Sequence, residues 1–166
     1  MFDCVYPYPC GSYGDSLKPC TCAPAMVTKY QKRISGPLLD RIDIHIEVPR
    51  VDYEKLSGNK MSESSESIRQ RVQAARDIQS KRFSNGKVTD IVCNADMRIG
   101  EIREFCQLQD EGQSLMRTAM SQLQLSARAY HRILKLARTI ADLSGGEDIQ
   151  SVHLGEALQY RPKIMV

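Results

Sequence analysis

Apolar and polar residues alternate strictly along one stretch of the chain. Every second position from residue 42 to 48 carries a β-branched apolar side chain: Ile42, Ile44, Ile46 and Val48. This period of two predicts a strand with one apolar face. Pro37 suits the start of a short helical turn just upstream, so Arg41 is expected where that turn meets the strand. A lone strand cannot form a sheet, so we expect its partners to come from outside this chain.

Residues 51–65 are rich in Ser, Lys, Glu, Gly and Asn and lack any apolar period. This composition predicts an exposed linker, with a domain boundary near Met61. We therefore interpret residues 1–60 and 61–166 as separate domains. After the boundary the apolar residues recur at helical spacing, which predicts a bundle of five helices. The expected fold class is mostly α, because the first domain adds only a short helix from Pro24 to Arg33, the strand and a Cys-rich loop.

The five helices differ in how clearly their apolar faces are marked. The predicted inward residues, helix by helix, are Ile68, Val72, Ala75 and Ile78; Ile99, Ile102, Phe105 and Cys106; Leu115, Met116, Ala119 and Leu123; Ala129, Ile133, Leu136, Ala137, Ile140 and Leu143; and Leu154, Ala157 and Leu158. The predicted N-caps of the last four helices are Asn94, Asp110, Ser126 and Ser151. The predicted stops are Asn85-Gly86, Gly145-Gly146 and Pro162.

The first 23 residues combine Cys, Pro, Gly and Tyr, a composition typical of a loop without regular structure. Four cysteines lie in this loop: Cys4, Cys10, Cys20 and Cys22. Four thiolates could hold a structural zinc ion that supplies the folding energy the loop lacks. The irregular spacing leaves unliganded thiols open as the alternative. Cys93 and Cys106 are predicted to be buried small apolar residues.

Charge and segment composition exclude several classes of function. The net charge of +3, from 23 basic and 20 acidic residues, does not by itself indicate a nucleic-acid or membrane surface. No run of eighteen apolar residues or signal peptide is present, so we expect a cytoplasmic protein with reduced thiols. No phosphate-binding loop or pair of acids at the end of an apolar strand is present. The isolated chain is therefore expected not to hydrolyse a nucleotide.

Two arginines invite both a structural and a functional interpretation. Arg41 could pair with Asp40 or Asp43, or present its donors to a phosphate of another molecule. Arg128 falls in the first turn of its helix, where a cation opposes the helix dipole. It shares one side of that helix with Arg132 and Lys135, which is either a solvated face or a binding surface. The histidines at 45, 131 and 153 are scattered and are assigned surface or structural roles.

Several runs resemble a known family. They are Tyr8-Pro-Cys-Gly-Ser-Tyr-Gly-Asp15, Cys20-Thr-Cys22, Ile34-Ser-Gly-Pro-Leu-Leu-Asp-Arg-Ile-Asp43, Leu125-Ser-Ala-Arg-Ala-Tyr-His-Arg-Ile-Leu134 and Ala137-Arg-Thr-Ile-Ala-Asp-Leu143. The chain is similar to the C-terminal third of magnesium-chelatase-like AAA+ ATPases of the ComM (YifB) type. The resemblance covers nearly all residues and implies the tail of an ATPase core, up to about residue 52, followed by a helical lid from about residue 64.

The resemblance also implies roles for particular residues. Arg41 matches the arginine finger, which acts on ATP bound by the next subunit, and Arg128 matches the second-sensor arginine of the lid. ATP and Mg²⁺ are the implied cofactors of the full-length protein. The implied partners are the neighbouring subunits of a homo-oligomeric ring, a hexamer, and DNA during branch migration in natural transformation; no membrane is implied. Tyr6 and Tyr8 stand where the family has Asn and Cys, so no water-positioning residue is assigned.

A second hypothesis comes from a different class of protein. In it the cysteine loop is a zinc staple, and the basic side of the helix that begins after Ser126 contacts nucleic acid or a protein, without any ATPase role. Salt-dependent DNA binding by the isolated chain would favour this hypothesis.

Overall fold

The structure is a computed structural model that describes residues 9–11, 19–33, 35–46, 48, 51, 62–84 and 90–161. The described residues divide into two units. The first contains the described residues up to Ile42 with Val48 and Val51, and the second contains residues 43–46 and 62–161. The predicted domain boundary near Met61 lies outside the described residues. The same is true of the helix ends predicted at Asn85-Gly86 and Pro162.

The first unit contains two short helices. Helix α1 spans Pro24–Gln31, and α2 spans Gly36–Leu39. Proline stands at the beginning of α1, as predicted, because its fixed φ suits a helix start and its missing N–H has no acceptor to lose there.

The second unit is built from helices throughout its described part. Its elements are α3 (Ser65–Ser84), a 3₁₀ turn (Asn94–Asp96), α4 (Ile99–Phe105), α5 (Asp110–Gln122), α6 (Ala127–Leu143) and α7 (Ser151–Gln159). An isolated parallel bridge joins Leu108 to Ile149. The mostly α fold class is therefore confirmed, and the described residues contain the five predicted α-helices of the bundle. No helix among the described residues has the length and apolar character needed to cross a membrane.

The core of this unit is formed around α6. Ala129, Ile133, Ala137 and Ala141 repeat every fourth residue, and each has at most 1% of its surface exposed. The three alanines among them are small, so neighbouring helices can pack closely against this face. The other members of the core come from α6 itself, from the other four α-helices of this unit and from the segments between them: Phe83, Ile91, Met97, Ile102, Cys106, Met116, Leu134, Ile149, Leu154 and Ala157.

Both ends of α6 follow from the sequence. Ser126 is the N-cap, and its hydroxyl accepts a hydrogen bond from the Ala129 N–H at 3.1 Å. At the other end Gly145 has φ +74°, a left-handed conformation that glycine adopts at little cost. The N–H groups of Gly145 and Gly146 then bond back to the carbonyls of Asp142 and Ala141. This is a Schellman motif, which satisfies carbonyls that the helix leaves unpaired.

The predicted strand is not formed among the residues that the structure describes. The described residues 42–46 and 48 have no regular secondary structure, and Ile44, Ile46 and Val48 are exposed. A strand is held by hydrogen bonds to neighbouring strands, and the described part of the chain provides none for this segment. Three residues of the alternating apolar pattern, Ile44, Ile46 and Val48, are therefore left exposed to solvent.

Helix α3 turns a different face inward from the one predicted. Ala75 is buried, but Ile68, Val72 and Ile78 are 43%, 41% and 36% exposed. The buried residues of α3 are instead Ala75, Gln79 and Phe83. The side chain of Gln79 accepts the Asn94 N–H at 3.2 Å, so polar contacts set the rotation of this helix.

The helix predicted from Asn94 to Cys106 is interrupted. Asp96 accepts hydrogen bonds from the N–H groups of Val92 and Cys93, which closes a 3₁₀ turn. The helix restarts at Ile99, where the Glu101 carboxylate accepts the Arg98 N–H at 2.8 Å. Asn94 is therefore not an N-cap of the long helix.

Several smaller predictions were also wrong. The N-caps of α5 and α7 are Gln109 and Gln150 rather than Asp110 and Ser151, each one residue earlier than predicted. The predicted inward residues that are exposed, in addition to those of α3, are Ile99, Leu123 and Leu143. All three lie at helix termini or just beyond, where the apolar face leaves the core. Cys106 is buried as predicted, whereas Cys93 is only half-buried.

Candidate functional site

Three of the four N-terminal cysteines come together in space. The Sγ atoms of Cys10, Cys20 and Cys22 lie within 4.8 Å of one another, and those of Cys10 and Cys20 are 3.3 Å apart. Gly11, directly after Cys10, has φ +67°, a left-handed conformation that glycine adopts at little cost. The pKa of Cys22 rises to about 11, first because its thiol is hydrogen-bonded to Cys10, then through desolvation and Cys20.

This cluster fits the donor set of a zinc site. Zn–S bonds are about 2.3 Å long, and tetrahedral geometry then places two sulfur ligands about 3.8 Å apart. The Sγ atoms of Cys10 and Cys20, 3.3 Å apart, are somewhat closer than that distance, and no pair of the three is more than 4.8 Å apart. Cys4, the predicted fourth ligand, lies outside the described residues. The chemistry that the cluster supports is metal binding by thiolates, which a cation would favour by lowering their pKa.

Arg41 lies in the turn after α2 and is exposed. Its backbone N–H bonds to the Leu38 carbonyl at 2.9 Å, which closes the turn. Ile42 is the last residue of the first unit's main segment, and residues 43–46 belong to the second unit. Arg41 is therefore presented at the surface one residue before the chain passes from the first unit to the second.

Arg128 is in the first turn of α6 and is exposed. The described residues offer it neither an ion pair nor a side-chain hydrogen bond. A cation at a helix N-terminus opposes the dipole at a cost of about 0.3–1 kcal/mol. Its position is suited to an anion that approaches the N-terminus of α6, where N–H groups already favour negative charge. Arg41 belongs to the first unit and Arg128 to the second.

The two other basic residues of α6 contact groups within the second unit. Arg132 Nη1 is 2.6 Å from Asp43 Oδ1, and Lys135 Nζ donates to the Ala95 carbonyl at 2.8 Å. The predicted basic side of this helix is therefore not a uniform solvated face. Lys135 bonds to the 3₁₀ turn, Arg132 bonds to the segment after Arg41, and Arg128 makes neither contact.

Sequence reasoning missed a buried charged network that supports α6. Asp142, whose side chain is fully buried, accepts two hydrogen bonds from Arg82 at 2.5 and 2.9 Å and one from Arg138 at 3.0 Å. Asn94 Nδ2 donates to the same carboxylate at 2.7 Å. The sequence did contain an indication of this network. Arg138 and Asp142 lie four residues apart in α6, a spacing at which opposite charges on a helix can pair.

Comparisons with known proteins agree with the sequence resemblance. The family described as "Magnesium chelatase, subunit ChlI" matches residues 1–56, and its counterpart "Magnesium chelatase, subunit ChlI C-terminal" matches residues 62–161. The competence protein ComM of Haemophilus influenzae is 41% identical over 143 residues, covering 86% of this chain and 27% of that protein. The YifB protein of Escherichia coli is 40% identical over 156 residues, covering 93% of this chain and 29% of that protein.

More distant relatives give the same picture. A protein of Mycobacterium tuberculosis, Rv2897c, is 29% identical over 153 residues, covering 92% of this chain and 30% of that protein. The chain thus spans less than a third of the length of these relatives. Both parts of the family pattern are present in the expected order, and the predicted resemblance is confirmed: the chain belongs to the magnesium chelatase subunit ChlI family, among relatives of the ComM and YifB type.

Proposed function

We propose that this chain is the C-terminal part of a ring-forming ATPase that remodels DNA. In this proposal residues 1–60 complete the ATPase core and residues 61–166 form its lid. ATP and Mg²⁺ are bound by the full-length protein, with the phosphate-binding loop and the Mg²⁺ ligands supplied by a part of the protein outside this chain. Family membership over nearly the whole chain supports the assignment.

The exposed position of Arg128 is the observation that carries the proposal. A guanidinium in the first turn of α6, without an ion pair among the described residues, is electrostatically unfavourable until an anion binds beside it. A triphosphate is such an anion, because its oxygens accept the planar fork of arginine donors. We assign Arg128 to sensing ATP bound by its own subunit.

Arg41 is assigned to the ATP of the neighbouring subunit. Its turn is closed by the Leu38 carbonyl and its side chain is exposed, a position suited to reaching another molecule. The guanidinium stays charged and can stabilise the charge that develops on the transferring phosphoryl group. Such a residue acts mainly on the transition state, so its loss lowers turnover more than ATP binding.

Three alanine variants of the full-length protein test this division of roles. Arg41→Ala should lower kcat by roughly 10³-fold with ATP affinity nearly unchanged. Arg128→Ala should weaken ATP binding as well as turnover. Arg33→Ala is the matched control, an exposed arginine of the same unit as Arg41, and should leave both parameters unchanged. Equal turnover in Arg41→Ala and Arg33→Ala would contradict the finger assignment.

We also propose that Cys10, Cys20 and Cys22, with Cys4 as the fourth ligand, hold a structural zinc ion. A loop held by thiolates around a metal needs no apolar core of its own. Native mass spectrometry of protein expressed with zinc should show one bound ion, and Cys20→Ser should lose it while Cys93→Ser keeps it. An ion-free protein with fully titratable thiols would contradict the zinc proposal and leave the ATPase proposal standing.

DNA is proposed as the substrate because the chain is similar to a protein named competence protein ComM, and the resemblance to the ComM type implies branch migration of DNA. In the ring proposal DNA binding requires the assembled full-length protein. The second candidate function, a zinc-stapled nucleic-acid-binding module, is favoured by the thiol cluster and predicts that this chain alone binds DNA. A binding constant that falls steeply with salt for the isolated chain would support the module. Binding only by the full-length ring would support the ATPase.

A further inference from the structure

The segment after Arg41 is held on the helical unit at two points. Arg132 of α6 pairs with Asp43 at 2.6 Å. The His45 backbone N–H bonds to the Tyr160 carbonyl at 2.9 Å, and His45 Nδ1 lies 3.3 Å from the same oxygen. We name these contacts the clasp: Asp43 with Arg132, and His45 with Tyr160.

The side chain of His45 packs against the second unit. The imidazole is half-buried, and its Nε2 atom is buried without a partner among the described residues. Tyr160 is the C-cap of α7, so its carbonyl is one that the helix cannot satisfy itself. His45 supplies two donors to that oxygen. The contact is therefore part of the packing of the second unit, whose boundaries include residues 43–46.

The position of the clasp connects the two proposed arginine roles. Along the chain Asp43 lies two residues after Arg41. Along α6 Arg132 lies four residues after Arg128, on the same side of the helix. A rigid helix that moves when Arg128 engages a phosphate would carry Arg132 with it, and Arg132 holds the segment next to Arg41.

We infer that the clasp transmits the nucleotide state sensed by Arg128 in one subunit to the Arg41 that serves the next. The inference rests on the proposed function of these two arginines. Arg132 is a positioning residue in this account, because it acts through Asp43 and touches no nucleotide. Its role is to make hydrolysis in one subunit depend on ATP in its neighbour.

The expected size of the effect follows from the exposure of the pair. The side chains of Arg132 and Asp43 are 30% and 52% exposed, so solvent screens their attraction. A pair of this kind changes an equilibrium by about two- to five-fold. Loss of the pair should therefore reduce the coupling between subunits without abolishing turnover.

The first experiment examines the clasp itself in this chain. Amide hydrogen exchange at His45 should be slowed in the wild type and accelerated about two- to five-fold in Arg132→Ala. Arg76→Ala, which removes an exposed arginine from α3, is the matched control and should leave that exchange rate unchanged. Equal exchange in the wild type and Arg132→Ala, with both helical by circular dichroism, would overturn the clasp.

The second experiment measures coupling in the full-length ring. Cooperativity of ATP hydrolysis should fall toward a Hill coefficient of 1 in Arg132→Asp and return in the charge-swapped pair Arg132→Asp with Asp43→Arg. A merely structural role would change the unfolding midpoint, not the Hill coefficient. Undiminished cooperativity in Arg132→Asp would overturn the inference. Failure of the proposed function is separate, because it appears as full turnover in Arg41→Ala.

Discussion

The buried carboxylate of Asp142 provides the sharpest test of what holds the helical unit together. Its side chain is fully buried, and it is bonded to Arg82, Arg138 and Asn94. Arg138 also donates to the carbonyls of Gly146 and Glu147, each at 2.7 Å. The network therefore joins α3, the 3₁₀ turn, α6 and the turn that ends α6. Asp142→Asn keeps the shape of the side chain, removes its charge and replaces one accepting oxygen with an NH₂ donor.

The expected loss of stability in Asp142→Asn follows from the burial of the charged side chains around it. The Arg138 side chain is 4% exposed and that of Arg82 is 13% exposed, so neutralising Asp142 leaves two cations with little access to water. Removing one partner of a buried ion pair costs about 3–5 kcal/mol. For a unit of about this size a loss of 3 kcal/mol lowers the unfolding midpoint by about 12–24 °C.

Urea unfolding followed by circular dichroism at pH 7 measures the change. The control is Asp90→Asn, the same substitution in an ion pair with Arg98 whose two side chains are 60% and 65% exposed. That pair should contribute less than about 1 kcal/mol because solvent screens it. If the two variants lose equal stability, the network does not hold the unit together and our account of α3 and α6 is wrong.

Three further predictions concern the isolated chain. It should show no ATPase activity and only weak nucleotide affinity, and turnover that persists through further purification would contradict this. Burial lowers the pKa of His45 below its usual 6.5. The unfolded state therefore binds more protons at acid pH, and the stability that His45 adds is present above about pH 6.5 and lost as pH falls. An NMR titration of its ring measures this; a raised pKa would refute it. Burial raises the pKa of the Cys106 thiol to about 11, so iodoacetamide at pH 8 should modify it only after unfolding; rapid native labelling would show that it is accessible.

The sequence predicted α6 well because its apolar stripe, its cap and its stop all indicate the same helix. Ser126 and Gly145 each perform the role that their residue type suggests. Helix α3 was predicted less well because its inward face is set partly by polar contacts. Gln79 and Arg82 bond to Asn94, which lies in a later element, and no pattern within α3 reveals that partner.

The candidate sites were predictable to different degrees. The cysteines could be singled out by composition, but their irregular spacing did not predict that three of them lie within 4.8 Å of one another. Arg41 and Arg128 were assigned by family resemblance, because spacing alone favours ordinary surface arginines. The contact between Arg132 and Asp43 joins residues 89 positions apart, and only the fold brings them together.

Action of Arg41 across a subunit boundary is the central claim, and mixing two inactive variants of the full-length protein tests it most directly. One variant carries Arg41→Ala, and the other carries an inactivating change in the phosphate-binding loop. Each mixed interface can then combine an intact finger with an intact loop, so we predict that mixed rings recover part of the wild-type turnover. Rings that form at every mixing ratio and recover no turnover would contradict the claim.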